Sequence, residues 1–292
     1  MATRTAPRAD APGAAPGHVT LSHRAWDAPL SYLALAAGGI LVAFPFLWMA
    51  ATALKGPREI FELHFWPHAP TLDNFRQVLT ATQFPRWFFN SFVIATITTV
   101  SAVFFDSLTG YTLAKLRFRG RNIIFIAILS TLMIPTEMLV IPWYTLSVRL
   151  GWIDTYWGIM FPGLISAFGV FLMRQFMAGV PNELLDAGRI DGVSEFGLFS
   201  RIALPLVQPA LAALGIFTFL GNWNAFIWPL IVIQTPAMRT LPVGIALFSG
   251  EAGSAWHLIM AASSLAVLPV LAVFVILQRQ IIEGIVLTGL RN

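Results

Sequence analysis

The chain has no cysteine in its 292 residues, which excludes disulfides and any thiolate nucleophile or ligand. Lysine is nearly as scarce, with only Lys55 and Lys115 present. They follow Leu54 and Ala114, so neither stands in the Gly-Lys context of a phosphate-binding loop. The chain therefore lacks that device for hydrolysing a nucleoside triphosphate. Neither G-x-S-x-G nor H-E-x-x-H occurs, which removes two common hydrolase frameworks, and no catalytic residue is assigned. The histidines are His18, His23, His64, His68 and His257. His64 and His68 are four apart, but Pro67 lies between them, so helical metal-ligand spacing is ruled out and no metal site is expected.

Charge is also in short supply. Only 11% of residues are charged against 57% hydrophobic, with a mean hydropathy of +0.74. Soluble domains carry roughly 25% charged residues, so this composition cannot build a water-facing surface. What is present instead is a series of long apolar runs. Leu30–Leu54, Tyr156–Met173, Leu206–Ile233 and Leu258–Leu277 carry no charge, Trp87–Ala114 carries only Asp106, and Ile123–Val148 only Glu137. A span needs about 20 mainly apolar residues. The expectation is an all-α integral membrane protein with six transmembrane helices over 30–278. Residues 1–29, rich in Ala, Pro and Gly with Arg4, Arg8 and Arg24, read as a disordered cytoplasmic tail, and 279–292 as a cytoplasmic C-terminal tail. A cleaved signal peptide does not fit, because the following apolar run is too long and its one A-x-A lies inside it. The sequence pI near 10 is read as basic anchors at lipid headgroups, not as a nucleic-acid surface.

The stretch Lys115-Leu116-Arg117-Phe118-Arg119-Gly120-Arg121 packs four cations into seven residues, which marks it as cytoplasmic by the positive-inside rule. Alternation then leaves Lys55, Arg58, Arg76, Arg86, Arg149 and Arg239 outside, and the other twelve of the 18 basic residues inside. Both termini, and the segment 174–205, fall on the cytoplasmic side.

That segment is a polar island between two apolar runs. Pro181 ends the fourth span, and Asn182 is a good N-cap for a short helix. Glu183 and Asp186 fall in the first turn, where the helix dipole favours anions. Asp191-Gly192 is a turn pair, with Gly192 suited to a left-handed conformation. Ser194 caps a second short helix running to Ile202, and Pro205 leads into the fifth span. Between Pro181 and Gly197 the acids Glu183, Asp186, Asp191 and Glu195 face only one cation, Arg189. A connection of about 25 residues with its own caps is long for a plain helix–helix loop.

The run Asp186-Ala187-Gly188, three residues, Gly192, nine residues, Ile202-Ala203-Leu204-Pro205 resembles the E-A-A-x3-G-x9-I-x-L-P signature of bacterial ATP-binding-cassette importer permeases. The spacing fits throughout; Asp stands for Glu at 186 and Gly for Ala at 188. Further stretches place the resemblance in the carbohydrate-uptake branch, with the maltose-type second permease subunit. They include Asn90-Ser91-Phe92, Phe171-Leu172-Met173-Arg174-Gln175-Phe176, Trp223-Asn224-Ala225-Phe226 and Met260-Ala261-Ala262-Ser263.

The resemblance implies a type I importer permease in the cytoplasmic membrane of a bacterium or archaeon. The island would be the coupling helix that docks on an ATPase, with Glu183, Asp186, Ala187, Gly188, Asp191, Gly192, Ile202 and Pro205 as the coupling residues. The implied partners are a second permease subunit, two cytoplasmic ATP-binding subunits that carry ATP-Mg, and an extracytoplasmic solute-binding protein that meets the loop 235–255. This chain itself would hold no cofactor, and its tail at 278–292 would touch the ATPase pair.

Few polar groups lie within the spans. Asp106 is costly in hydrocarbon and must face the bundle interior, a partner or a cavity. Glu137 sits between Pro135 and Pro142, which free backbone carbonyls. Asn222, Trp223 and Asn224 precede Pro229. Each reads either as lining of a translocation path or as interhelical hydrogen bonding and packing. A secondary transporter or channel without a motor is the rival reading; it predicts inverted repeats and more mid-membrane charges, and no clear repeat is seen.

Overall fold

The computed structural model describes residues 27–250 and 253–289. The expected tail lies outside them apart from Asp27–Pro29, which already belong to the first helix, and residues 290–292 lie outside as well. The helices in chain order are α1 (Asp27–Ala53), α2 (Asp73–Ala81), α3 (Phe84–Lys115), α4 (Arg121–Thr131), α5 (Val140–Leu150), α6 (Tyr156–Met160) and α7 (Ala167–Ala178), followed by α8 (Asn182–Ile190), α9 (Glu195–Leu198), α10 (Leu204–Leu206), α11 (Gln208–Trp223), α12 (Ile227–Val232), α13 (Leu241–Ala246) and α14 (Trp256–Gly289). The one strand pair among the described residues is a two-residue hairpin, with Ser249 opposite Ser254 and Gly250 opposite Gly253. It sits in the loop 235–255, the one expected from the resemblance to meet a solute-binding protein.

Three helices are long and apolar enough to cross a membrane: Ser31–Ala53, Phe84–Lys115 and Trp256–Ile276. Three bent pairs bring the number to six. The pair Arg121–Thr131 and Thr136–Leu150 turns by 94° at the Pro135 that sequence marked as loosening the span. The pair Tyr156–Gly163 and Ala167–Ala178 bends by 42°. The third pair bends by 86° at Val207, between Glu195–Leu206 and Gln208–Trp223. The fifth apolar run is itself interrupted, since α11 stops at Trp223 and α12 begins at Ile227. Helix α14 runs unbroken to Gly289, so no helix end marks the expected tail boundary at 279.

The chain divides into two units, Met1–Pro45 and Phe46–Asn292. In the first, the described apolar side chains such as Tyr32, Leu35 and Leu41 are exposed. In the second, α3 is the axis: its 32 residues rise about 48 Å. Its N-terminal end enters a core with Val78, Trp87, Trp223, Leu241 and Ala261. Here Asn90 Nδ2 donates to the carbonyls of Ala237 and Arg239 at 2.8 and 2.9 Å, and Ser91 Oγ accepts from Leu241 N at 2.7 Å. The Asn90-Ser91 pair thus straps the loop after α12 to α3. The C-terminal end of α3 enters a second core, where Tyr111 packs with Met173, Leu185, Leu198 and Phe199.

The loop between α1 and α2 is irregular rather than helical, in keeping with Pro67, yet it brings His64 and His68 together. Their rings stand 4.2 Å apart, and Glu59 joins them.

Candidate functional site

The island forms a compact handle at the C-terminal end of α3. α8 is amphipathic: Leu185 and Gly188 are buried on one face, while Leu184, Asp186, Ala187, Ile190 and Asp191 are exposed on the others. Gly192 closes the helix at φ +77°, the left-handed conformation that glycine adopts without steric cost. Ser194 caps α9, its Oγ accepting from Gly197 N at 3.2 Å. The second helix does not run to Ile202 in regular form. It gives way after Leu198 to a π turn over Phe199–Ala203, a wider turn that sequence propensity does not signal.

The N-cap expectation is also corrected. Asn182 is the first helical residue, and the preceding Pro181 makes no side-chain cap. The Asn182 side chain is taken by a stronger donor: Lys115 Nζ donates to its Oδ1 at 2.9 Å and to the Val180 carbonyl at 2.6 Å. A charged donor outcompetes a neutral backbone N–H for that oxygen. The lysine that opens the basic loop therefore ties α3 to the entry of the handle.

Arg189 organises the acids. Its Nη1 meets Asp186 Oδ1 at 2.6 Å, and its Nε and Nη2 meet the two oxygens of Glu195 at 2.7 and 3.3 Å. This locks α8 to α9 across the Gly192 turn with a forked pairing. The hydrogen bonds that Arg189 donates to Glu195, and then to Asp186, raise the pKa of the guanidinium further, so it stays charged at any working pH. Tyr111 Oη then donates to Glu195 Oε2 at 3.2 Å, linking the handle to α3. A polar cavity of about 610 Å³ lies between the basic loop and the handle, lined by Lys115, Arg117, Arg121, Asn182, Asp186 and Arg189 among others. The loop and the island are thus on the same side of the protein, as alternation requires.

Both departures from the signature have a physical role. Asp186 reaches Arg189 one turn on. A Cβ on Gly188 would lie 2.6 Å from Leu198 Cδ2 and 3.0 Å from Ile202 Cδ1, so glycine lets α8 seat closely on α9 and on the π turn. Ile202 packs partly buried against the inner core, and Pro205 stands exposed in α10.

The handle leaves three large apolar side chains uncovered: Leu184 is 45% exposed, Phe196 57% and Ile190 87%. Glu183 and Asp191 flank them, both exposed.

The residues expected in the spans do not gather into one site. Asp106 is fully buried. Its carboxylate accepts from Ser166 N at 3.0 Å and Ser166 Oγ at 2.9 Å, and Ser166 Oγ accepts from Gly169 N at 2.8 Å. It anchors the cap of α7, where the helix dipole favours an anion. Trp223, expected beside a path, is enclosed: Nε1 donates to the Ala266 carbonyl at 3.2 Å, and the ring stacks on Phe219 and meets Phe88 edge-on. Asn222 and Asn224 turn their amides back to the Thr218 and Leu220 carbonyls at 2.8 and 2.9 Å. Asn224 and Glu137 are exposed on the surface of the chain.

Comparison with known proteins gives a consistent picture. The family model for the binding-protein-dependent transport system inner membrane component matches residues 106–286. The chain is 37% identical over 258 residues to the arabinooligosaccharides transport system permease protein AraQ of Bacillus subtilis (strain 168), covering 87% of this chain and 92% of that one. It is 34% identical over 266 residues to the sn-glycerol-3-phosphate transport system permease protein UgpE of Pectobacterium atrosepticum, covering 88% and 95%. In fold it is similar to a chain from the crystal structure of a bacterial ABC transporter involved in the import of the acidic polysaccharide alginate. There the TM-score is 0.78 at 20% identity, with 91% and 99% of the two chains covered.

Proposed function

Because this chain belongs to the family of binding-protein-dependent transport system inner membrane components, we propose that it is one of the two membrane-spanning permease subunits of an ATP-driven importer for a sugar or sugar-like solute. The names of its relatives support the substrate class: one serves arabinooligosaccharides and another a polyol phosphate. A binding protein delivers solute on the outer side, near the loop 235–255. Two ATPase subunits, which bind ATP-Mg, work on the cytoplasmic side, where the handle and both termini lie in this reading.

The observation that carries the proposal is the exposure of three large apolar side chains, Leu184, Ile190 and Phe196, on a handle fastened to α3 at two points, Lys115 and Tyr111. In this reading the ATPase covers them. Its closure on ATP pushes the handle, and the π turn and the 86° bend at Val207 pass the motion to α11. A rigid lever on a two-state bundle is what coupling to an external motor needs.

The path lies between this chain and the second permease. Glu137 and Asn224, exposed on this chain, are the side chains that face it. Asp106, Asn222 and Trp223 hold the architecture behind it.

The test is the complete importer with Ile190→Glu and Asp191→Lys in this chain. Substrate-stimulated ATP hydrolysis is expected to fall by about tenfold or more, the effect of losing some 1.4 kcal/mol of docking free energy. Assembly and transport at the unmodified rate would show that the handle is not the coupling element.

A further inference from the structure

The loop between α1 and α2 is far better anchored than a solvated connector. Lys55 is fully buried, although lysine is almost never so. Its ammonium donates to the Glu62 carbonyl at 3.2 Å and to the His64 carbonyl, and lies 5.3 Å from the Trp48 ring centre. Asn74, also buried, donates to the carbonyls of Ala53 and Lys55 at 2.7 and 2.8 Å. Thr71 N closes the base of the loop on the Leu54 carbonyl at 2.9 Å. Two buried polar side chains thus hold the backbone on which His64 sits.

This scaffold converges three ligating side chains. His64 Nε2 lies 3.2 Å from Glu59 Oε1. The His64 and His68 rings are 4.2 Å apart with their planes at 56°. One ligand atom from each of Glu59, His64 and His68 can be chosen so that all lie within 4.8 Å of one another. Glu62 Oε2 is 3.3 Å from His64 Nε2 and supplies the nearest further oxygen. The carboxylate of Glu59 is itself oriented, since His68 N donates to its Oε1 at 2.6 Å. A hydrogen bond to a ligating carboxylate is the outer-shell support that metal sites use.

We propose that Glu59, His64 and His68 form a binding site for a divalent transition-metal ion of the zinc class, which staples the loop before α2. Two imidazoles and a carboxylate are the donor set of borderline cations; calcium and magnesium take all-oxygen cages. Around a tetrahedral ion with bonds near 2.0–2.1 Å, neighbouring ligand atoms stand about 3.3 Å apart. The Glu59–His64 separation of 3.2 Å is already at that spacing. Glu59 and His64 are half-buried and His68 is exposed, so the ion enters from solvent and an open position remains for water. The ammonium of the buried Lys55 is directed at two backbone carbonyls and an aromatic face. Bound metal would hold Phe61, Leu63 and Trp66, all largely exposed, in one presentation. The site sits beside the core at the N-terminal end of α3, far from the handle, so it does not depend on the coupling reading.

The test is calorimetric titration of the untagged full-length chain in nanodiscs with zinc chloride alone, after chelator treatment. One saturable equivalent is expected, with a dissociation constant on the order of 1 μM or tighter, and zinc should raise the melting temperature by mass action. His68→Ala, at an exposed ring, and Glu59→Gln are each expected to weaken binding by about tenfold or more and to abolish the thermal shift. Absence of saturable binding by the unmodified chain would overturn the proposal. So would affinity unchanged in His68→Ala and in the His64→Ala, His68→Ala double variant, which would send the metal to His18, His23 or His257.

Discussion

Tyr111 donates its hydroxyl hydrogen to Glu195 Oε2 at 3.2 Å, which fastens the longest buried span to the second helix of the handle. The same glutamate is gripped by Arg189. Besides the Lys115–Asn182 contact, a load on α8 therefore reaches α3 through this one carboxylate.

Replacing Tyr111 with Phe removes this link while keeping the ring against Phe199. The hydrogen bond is worth about 0.5–1.5 kcal/mol, so folding survives. The expected change is in coupling: in proteoliposomes holding the whole importer, solute carried per ATP hydrolysed falls while hydrolysis continues. An unchanged ratio would show that the link is not on the route of the motion.

Gly188→Leu tests the seat of the handle. Any Cβ at this position presses on the buried Leu198 side chain, and a leucine adds three further carbons. Overpacking of this kind costs about 1–3 kcal/mol. The chain is expected to insert normally but to recover less ATPase subunit when the complex is purified; Gly188→Ala should lie between the two.

Asp106→Ala strips the cap of α7 of its carboxylate and leaves the Ser166 N–H and hydroxyl without that acceptor. The expected loss is about 1–3 kcal/mol, read as a lower melting temperature in detergent. Asp106→Asn keeps one acceptor and should lose less. If Asp106→Ala keeps full stability but transport fails, Asp106 serves the path rather than the architecture.

Much of this was legible in the sequence because hydrocarbon imposes simple rules. Apolar runs had to be helices, and Pro135 marked where one of them turns by 94°. The handle showed itself through Pro181, Gly192, Ser194 and Pro205, whose backbone preferences are local. What stayed hidden depends on partners distant in sequence. Asn182 reads as a cap until Lys115, 67 residues earlier, takes its oxygen. Trp223 reads equally as path lining or as packing until its contacts with Ala266 and Phe88 are seen. Pro67 told against a helix carrying His64 and His68, and only the folded loop shows the two rings 4.2 Å apart.

Asp154 offers a check by pH on the packing between the α5–α6 turn and the end of α12. It has φ +58°, and its Oδ1 accepts from Gln234 N and Thr235 N at 2.9 and 3.0 Å. Burial pushes the carboxyl up, but the Thr235 and Gln234 N–H groups outweigh it and hold the pKa below the ordinary carboxylate value. A depressed folded pKa stabilises above the unfolded value of about 3.9 and loses that contribution as pH falls through the folded value. Asp154→Ala should therefore lower the melting temperature at pH 7 and narrow its gap to the unmodified chain below about pH 4. A constant gap across that range would contradict the assignment.

The absence of cysteine makes the central claim directly accessible. A single Ile190→Cys variant, labelled with a short benzophenone photocrosslinker, can be irradiated in the assembled importer and the adduct identified by mass spectrometry. The account predicts a covalent adduct between position 190 and an ATPase subunit, weakened by the Gly188→Leu change. An adduct confined to the second permease subunit or to lipid, with none to the ATPase, would contradict it.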